Sequence, residues 1–135
     1  MPFLMSKVNV SVSKEQAIQI KSRLGKAIEL APGESEEYLM IGFEDNFLFF
    51  LRGDDSEPVA YIEIGVFGNP SHHGYGELTA EITRIYHDVL GIAPDHIYVR
   101  YDDIKVWGVS GMTFDINQYM NEGGKMPWMT ENTKS

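Results

Sequence analysis

The residue best suited to unusual chemistry in this chain is Pro2, directly behind Met1. A small second residue permits removal of the initiator methionine, and proline then carries the free chain terminus. Its nitrogen becomes a secondary amine held rigid by the ring. A free α-amino group titrates near pH ~8, far below lysine. An apolar pocket lowers that value, because desolvation disfavours the charged form. Such a group is a general base at neutral pH. The plain alternative is that proline stands there as any residue can. Other chemical signals are weaker. His72-His73 sit beside Gly74 in a loop, with no Asp, Glu or Cys at ligand spacing to complete a metal site. Arg52-Gly53-Asp54 spells an integrin-type tripeptide, too short to separate from chance. The acidic run Glu34 to Glu37 reads as a solvated turn between a helix and a strand.

Composition narrows the setting. The chain has 135 residues, enough for one domain, and its 43% apolar content is ordinary for a globular fold. There are no cysteines, so disulfides, thiolate catalysis and zinc–cysteine sites are excluded. The formal charge is −9 with scattered Lys and Arg, which argues against a nucleic-acid partner. No run is long and apolar enough to span a bilayer, so no membrane partner is expected. The N-terminal apolar stretch is too short for a signal peptide and lacks a basic leader. A cytoplasmic location is the default expectation.

Pro2 can act only if something holds it. Phe3 to Val10 reads as a strand that would do so. Ser13-Lys14-Glu15-Gln16 then fits a capping box. Ala17, Ile20, Leu24, Ala27 and Ala31 follow on one helix face, and Pro32-Gly33 is expected to end that helix. Tyr38 to Phe43 and the apolar run Phe47 to Leu51 read as strands. Val59 to Phe67 is a further strand, Glu77 to Leu90 a second helix closed by Gly91, and His96 to Tyr101 another strand. Strand–helix–strand thus occurs twice, about sixty residues apart, with no residue-level repeat.

Two such units place four main strands in one sheet, with right-handed crossovers and both helices most simply on one face. The strands look apolar on both sides, so the bare face wants cover. Another subunit must supply it, which predicts a closed homo-oligomer. The tail after Asp115 is polar and Gly-interrupted, with one cluster at Met126-Pro127-Trp128-Met129. It reads either as a frayed terminus or as a segment docking on a neighbouring subunit.

Several short motifs then fall in a consistent order. They are MPF at the start with Asn9-Val10, Tyr38, Ser56-Glu57-Pro58 and Phe67-Gly68. The run A-P-D-H-I-Y-V-R-Y at Ala93 to Tyr101 is followed by D-x-x-x-x-W-G at Asp102 to Gly108 and by Thr113-Phe114. Together they resemble the tautomerase superfamily and, within it, the macrophage migration inhibitory factor (MIF) family, whose corresponding run reads S-P-D-R-V-Y-I-N-Y. The resemblance covers about residues 2 to 115, so residues 1–115 are expected to form a MIF-like domain and residues 116–135 an extension. It implies an α/β (α+β) fold with a four-stranded mixed sheet and two helices on one face. It also implies a homotrimer with the sheets lining a central barrel and active sites at subunit interfaces. The implied chemistry needs no cofactor and no metal: the N-terminal proline shuttles a proton between carbon and oxygen of a phenylpyruvate-like keto acid and its enol. Some members are secreted without a signal peptide and act as cytokines, so non-classical secretion belongs to the expectation.

Carried over residue by residue, the resemblance makes Pro2 the catalytic base. Tyr98 matches a pocket tyrosine contributed by the neighbouring subunit. Phe67 matches a position whose backbone lines the pocket beside the proline, and Phe114 a closing aromatic. Phe3 follows the proline directly, Tyr38 opens the second strand, and Trp107 and Val109 match two wall positions with large and small residues exchanged. One departure concerns charge. Glu34 stands where the family usually has a lysine that binds the substrate carboxylate. Arg100, on the same strand face as Tyr98, is the candidate replacement anchor; its alternative is an ion pair with Glu34 across the interface. Two other readings follow from these departures. One is hydration-dehalogenation or decarboxylation of short acids, held by arginine. The other is a cytokine-like binding trimer with vestigial activity.

Overall fold

The computed structural model describes residues 2–121. Its main sheet has four strands, and the first of them in sequence lies in the interior of the sheet. Strand β1 (Pro2–Val8) runs parallel to β2 (Met40–Glu44), with Phe3 opposite Met40. It runs antiparallel to β3 (Ala60–Phe67), with Pro2 opposite Val66 and Met5 opposite Glu63. Strand β4 (Ile97–Ile104) completes the sheet parallel to β3, with Tyr61 opposite Tyr98. Each parallel pair is joined through a helix, as parallel pairs require. These are α1 (Lys14–Ala27) and α2 (Tyr75–Leu90), packed against each other on one face. The fold is therefore α+β with a mixed four-stranded sheet, as expected.

Local chemistry explains the helix ends. Ser13 Oγ accepts the Gln16 N–H at 3.1 Å while Gln16 Oε1 accepts the Ser13 N–H at 3.0 Å, completing the capping box. Helix α1 stops at Ala27, earlier than the Pro32-Gly33 pair suggests. Residues Ile28–Leu30 tighten into a 3₁₀ turn, and Ala31 is already extended at ψ 124°. Proline at position 32 disfavours helical geometry at the residue before it, which accounts for the early exit. Helix α2 starts at Tyr75, two residues before Glu77, because Gly74 caps it at φ 83°. A Cβ at Gly74 would collide with the Leu30 carbonyl oxygen, so only glycine lets the two helical segments meet here.

Between helices and sheet, Leu4, Val8, Ile62, Ile64 and Val66 pack against Ile20, Leu24, Leu78, Ile82 and Ile85. One polar pair enters this core. The Ser6 hydroxyl bonds the buried Tyr86 hydroxyl, and burial pushes that phenol well above its ordinary pKa.

The uncovered face differs from expectation. It is not uniformly apolar but carries a charge ladder across three strands. Lys7 Nζ lies 3.6 Å from Glu63 Oε1, Arg100 Nη1 lies 3.7 Å from Glu63 Oε2, and Arg100 Nη2 donates to Asp102 Oδ1 at 2.9 Å. Period-two alternation hid it, because the charged residues share their strands with apolar neighbours facing the same way.

A second difference is Phe47 to Leu51, which forms no strand. Leu51 and Asp54 make an isolated bridge across a turn whose central residues, Arg52 and Gly53, have φ of 54° and 78°. Positive φ at both positions is the signature of a type I′ turn. The apolar run before it finds no ladder partner among the described residues, and Leu48 and Phe50 are 71% and 65% exposed.

Beyond β4 the chain makes a hairpin that the sequence reading missed. Strands β5 (Val106–Val109) and β6 (Met112–Asp115) pair antiparallel around Ser110 and Gly111, with φ of 55° and 74°. A short helix, α3 (Ile116–Asn121), follows, and Ile116 packs on Phe67 and Phe114. The Met126 to Met129 cluster lies outside the described residues.

Candidate active site

Pro2 is buried at the start of β1 and lines a cavity of about 490 Å³. Three elements enclose it. Strand β1 supplies Pro2. The 3₁₀ turn Glu36–Tyr38 and its continuation into β2 supply Glu37, Tyr38, Leu39 and Met40. The β5–β6 hairpin supplies Trp107, Val109, Ser110, Met112 and Phe114. The strand register explains the first junction, since Phe3 faces Met40 across the parallel ladder and so brings Pro2 beside the Tyr38–Leu39 segment.

The hairpin's own register explains its contribution. Trp107 stands opposite Phe114 and Val109 opposite Met112, so these four side chains share one face. That face is folded over the end of the sheet. Trp107 reaches back until its ring would touch a Cβ at Gly65, 3.8 Å away, and the bare glycine leaves room for it and for Ile104. Phe114 is anchored on Phe67, with Ile104, Trp107 and Ile116 around them. The two-residue Ser110-Gly111 loop between alternating apolar residues is a sequence signal for this hairpin. It points to Ser110 and Met112. Glu37, Leu39 and Met40 were missed because they flank Tyr38 in a turn that breaks strand periodicity.

Of the residues singled out from the sequence, Pro2, Tyr38, Trp107, Val109 and Phe114 therefore meet in one cavity. Phe67 supports its floor from behind Phe114. Phe3 follows Pro2 on β1, half-buried, opposite Met40 and Gly65. Glu34 is not a lining residue, whereas Glu37 is. Tyr98 and Arg100 stand on the uncovered face of β4, outside this cavity, and Tyr98 is 52% exposed. The Arg100 guanidinium is engaged within its own chain. It bonds the Tyr61 hydroxyl at 3.5 Å and pairs with Asp102 and Glu63, and these contacts raise its pKa further above the usual arginine value. His72 is stacked on Tyr75 at 5.5 Å, and no cluster of three or more His, Asp or Glu side chains suited to a metal occurs among the described residues. No described helix is long and apolar enough to cross a membrane.

Chemically, the described lining pairs a buried proline with a wall of indole, phenyl, phenol and thioether groups, one carboxylate and the Ser110 hydroxyl. Its wall is incomplete, since Tyr38, Met40, Val109 and Met112 all remain exposed.

Comparison with known proteins agrees with this architecture. MIF2 of Leishmania major superposes with a TM-score of 0.77 at 28% identity, over 84% of this chain and 97% of that one. The macrophage migration inhibitory factor of Toxoplasma gondii gives 0.76 at 20% identity, over 83% and 99%. The homologue from Prochlorococcus marinus gives 0.71 at 22%, over 83% and 98%. No curated protein matches the sequence. The family model for macrophage migration inhibitory factor matches residues 1–115, which take in the whole sheet, both long helices and the hairpin that closes the cavity. The chain belongs to the macrophage migration inhibitory factor family.

Proposed function

We propose that this protein is a cofactor-independent keto–enol tautomerase, with Pro2 as the general base, acting as a homotrimer on phenylpyruvate-like carbonyl compounds. The observation that carries the reading is the position of Pro2, buried at the edge of an aromatic cavity at the head of β1. With Met1 removed, its nitrogen is a secondary amine facing an apolar wall. Such a wall favours the uncharged amine, which is the form that accepts a proton.

The step balances simply. The nitrogen lone pair takes a proton from the carbon next to the carbonyl. The C–H electrons form the C=C bond, and the carbonyl π electrons move to oxygen. A proton returned from the prolinium to that oxygen completes the enol, and the reverse sequence ketonises it. Trp107, Tyr38 and Phe114 suit an aryl group by offset stacking. In the trimer, Tyr98 of a neighbouring copy would donate its hydroxyl to the carbonyl oxygen, which accounts for a tyrosine left exposed on the uncovered face.

The test is ketonisation of phenylpyruvate enol and of its methyl ester, followed by ultraviolet absorbance, on protein whose mass confirms loss of Met1. Pro2→Ala is expected to lower kcat/KM on whichever substrate is turned over by at least about 100-fold, the usual contribution of a general base. Activity unchanged in Pro2→Ala would defeat the proposal.

A further inference from the structure

We propose that Glu37 sets the charge selectivity of the Pro2 cavity, disfavouring a carboxylate on the substrate and favouring an uncharged or amine-bearing one. The inference rests on reading that cavity as the substrate site. Among its described lining residues Glu37 is the one carboxylate, and none of them is Lys, Arg or His. Besides Glu37 the lining holds the Tyr38 phenol and, once Met1 is removed, the Pro2 amine, which is uncharged in the base form that accepts a proton. Glu37 makes no ion pair among the described residues. Its neighbour Glu36 is turned away, with its carboxylate against α1 at Gly25, so the adjacent glutamates do not act as one cluster.

No cation elsewhere on the sheet offsets this. Arg100 would be the natural carboxylate anchor if a second copy brought it to the cavity mouth. It would arrive already matched, because Lys7 and Arg100 are balanced by Glu63 and Asp102 within one ladder. The chain as a whole is negative, at −9, so its long-range field has the same sign as Glu37. The aromatic walls work in the same direction. The faces of Trp107, Tyr38 and Phe114 attract an ammonium group and repel a carboxylate. An aryl carbonyl compound with a protonated amine at the Glu37 end satisfies each of these groups.

The experiment uses two ligands with one frame and opposite charge, 3-phenylpropanoate and 3-phenylpropylamine. Their affinities for the Met1-processed protein are compared by titration calorimetry at low and high salt. The amine is expected to bind about tenfold tighter at low salt, with the ratio shrinking as salt screens the exposed carboxylate. Glu37→Gln is expected to bring the two within about twofold, and Glu37→Lys to invert the order. A preference for the carboxylate, equal binding of the two, binding of neither, or a preference that survives Glu37→Gln would each overturn the proposal. Because this readout is binding, it separates from the catalytic one. Failure of the Pro2 mechanism, seen as turnover that is absent or that survives Pro2→Ala, leaves the binding ratio in place, and failure of the charge inference abolishes the ratio while leaving Pro2-dependent turnover.

Discussion

At the scale of single residues, the cavity shows how few side chains need special environments. Pro2 was legible in the sequence because its position is itself the signal. Trp107, Val109 and Phe114 were legible through short motifs, and Glu37 was not, since an acidic residue in an acidic run reads as solvated surface. Asp54 shows the same limit from the other side. Within Arg52-Gly53-Asp54 its carboxylate is tied down, accepting the Ser56 N–H at 2.9 Å and the Ser56 hydroxyl at 2.9 Å. Those bonds, the backbone one first, hold its pKa below the usual carboxylate value of 3.8. A carboxyl whose folded pKa is depressed stabilises the fold above its unfolded pKa and loses that contribution as pH falls through the folded one. Asp54→Asn is therefore expected to melt slightly below the parent at pH 7. The gap should narrow below pH ~4 and close in stronger acid, as thermal melts across pH would show. A gap that widens on acidification would contradict the hydrogen-bond assignment.

At the scale of elements, the two strand–helix–strand units were readable because each signal is local: a capping box at Ser13, a glycine stop at Gly91, period-two and 3.6-residue patterns between them. What escaped was non-local or lay in turns. The run Phe47 to Leu51 has strand composition but no partner strand among the described residues, and composition cannot report partners. The β5–β6 hairpin escaped because each strand is only four residues long, and its signal was the Ser110-Gly111 pair. That loop is a sensitive point for the site, since it holds both strands that wall the cavity. Gly111 has φ of 74° with open space around it, so an added Cβ meets no clash and the penalty is backbone strain alone. Gly111→Ala is expected to weaken the hairpin by about 1 kcal/mol. Hydrogen exchange should then show the β5–β6 amides opening about fivefold faster, with the main sheet unaffected. Equal acceleration in β1 and β3 would mean that the hairpin is not an independent flap on the sheet.

At the scale of the whole molecule, the surface is unfinished. Both edges of the main sheet, β2 and β4, lack strand partners among the described residues, and Met40, Leu48 and Phe50 are each more than 60% exposed. Exposed sheet edges beside apolar side chains are a pairing surface. This supports the trimeric reading, in which copies close the edges in a ring. Sedimentation equilibrium is expected to give three times the chain mass. Replacing Leu48 and Phe50 together by Asp should yield monomers that keep the helical circular-dichroism signal, because burying unpaired charge at a contact is strongly unfavourable. A trimer that survives that double change would place the contact elsewhere. The same strand order has a consequence in time. β1 leaves the ribosome before the other strands of this sheet, yet it lies inside the sheet and is flanked by β2 and β3. At typical synthesis rates its antiparallel partner β3 follows only after roughly 3 to 13 seconds. Until then Leu4 and Val8 have only α1 and β2 beside them, and the β3-facing edge of β1 stays open. The nascent chain thus passes through a stage in which β1 can be paired on one side only and part of its apolar face is still uncovered.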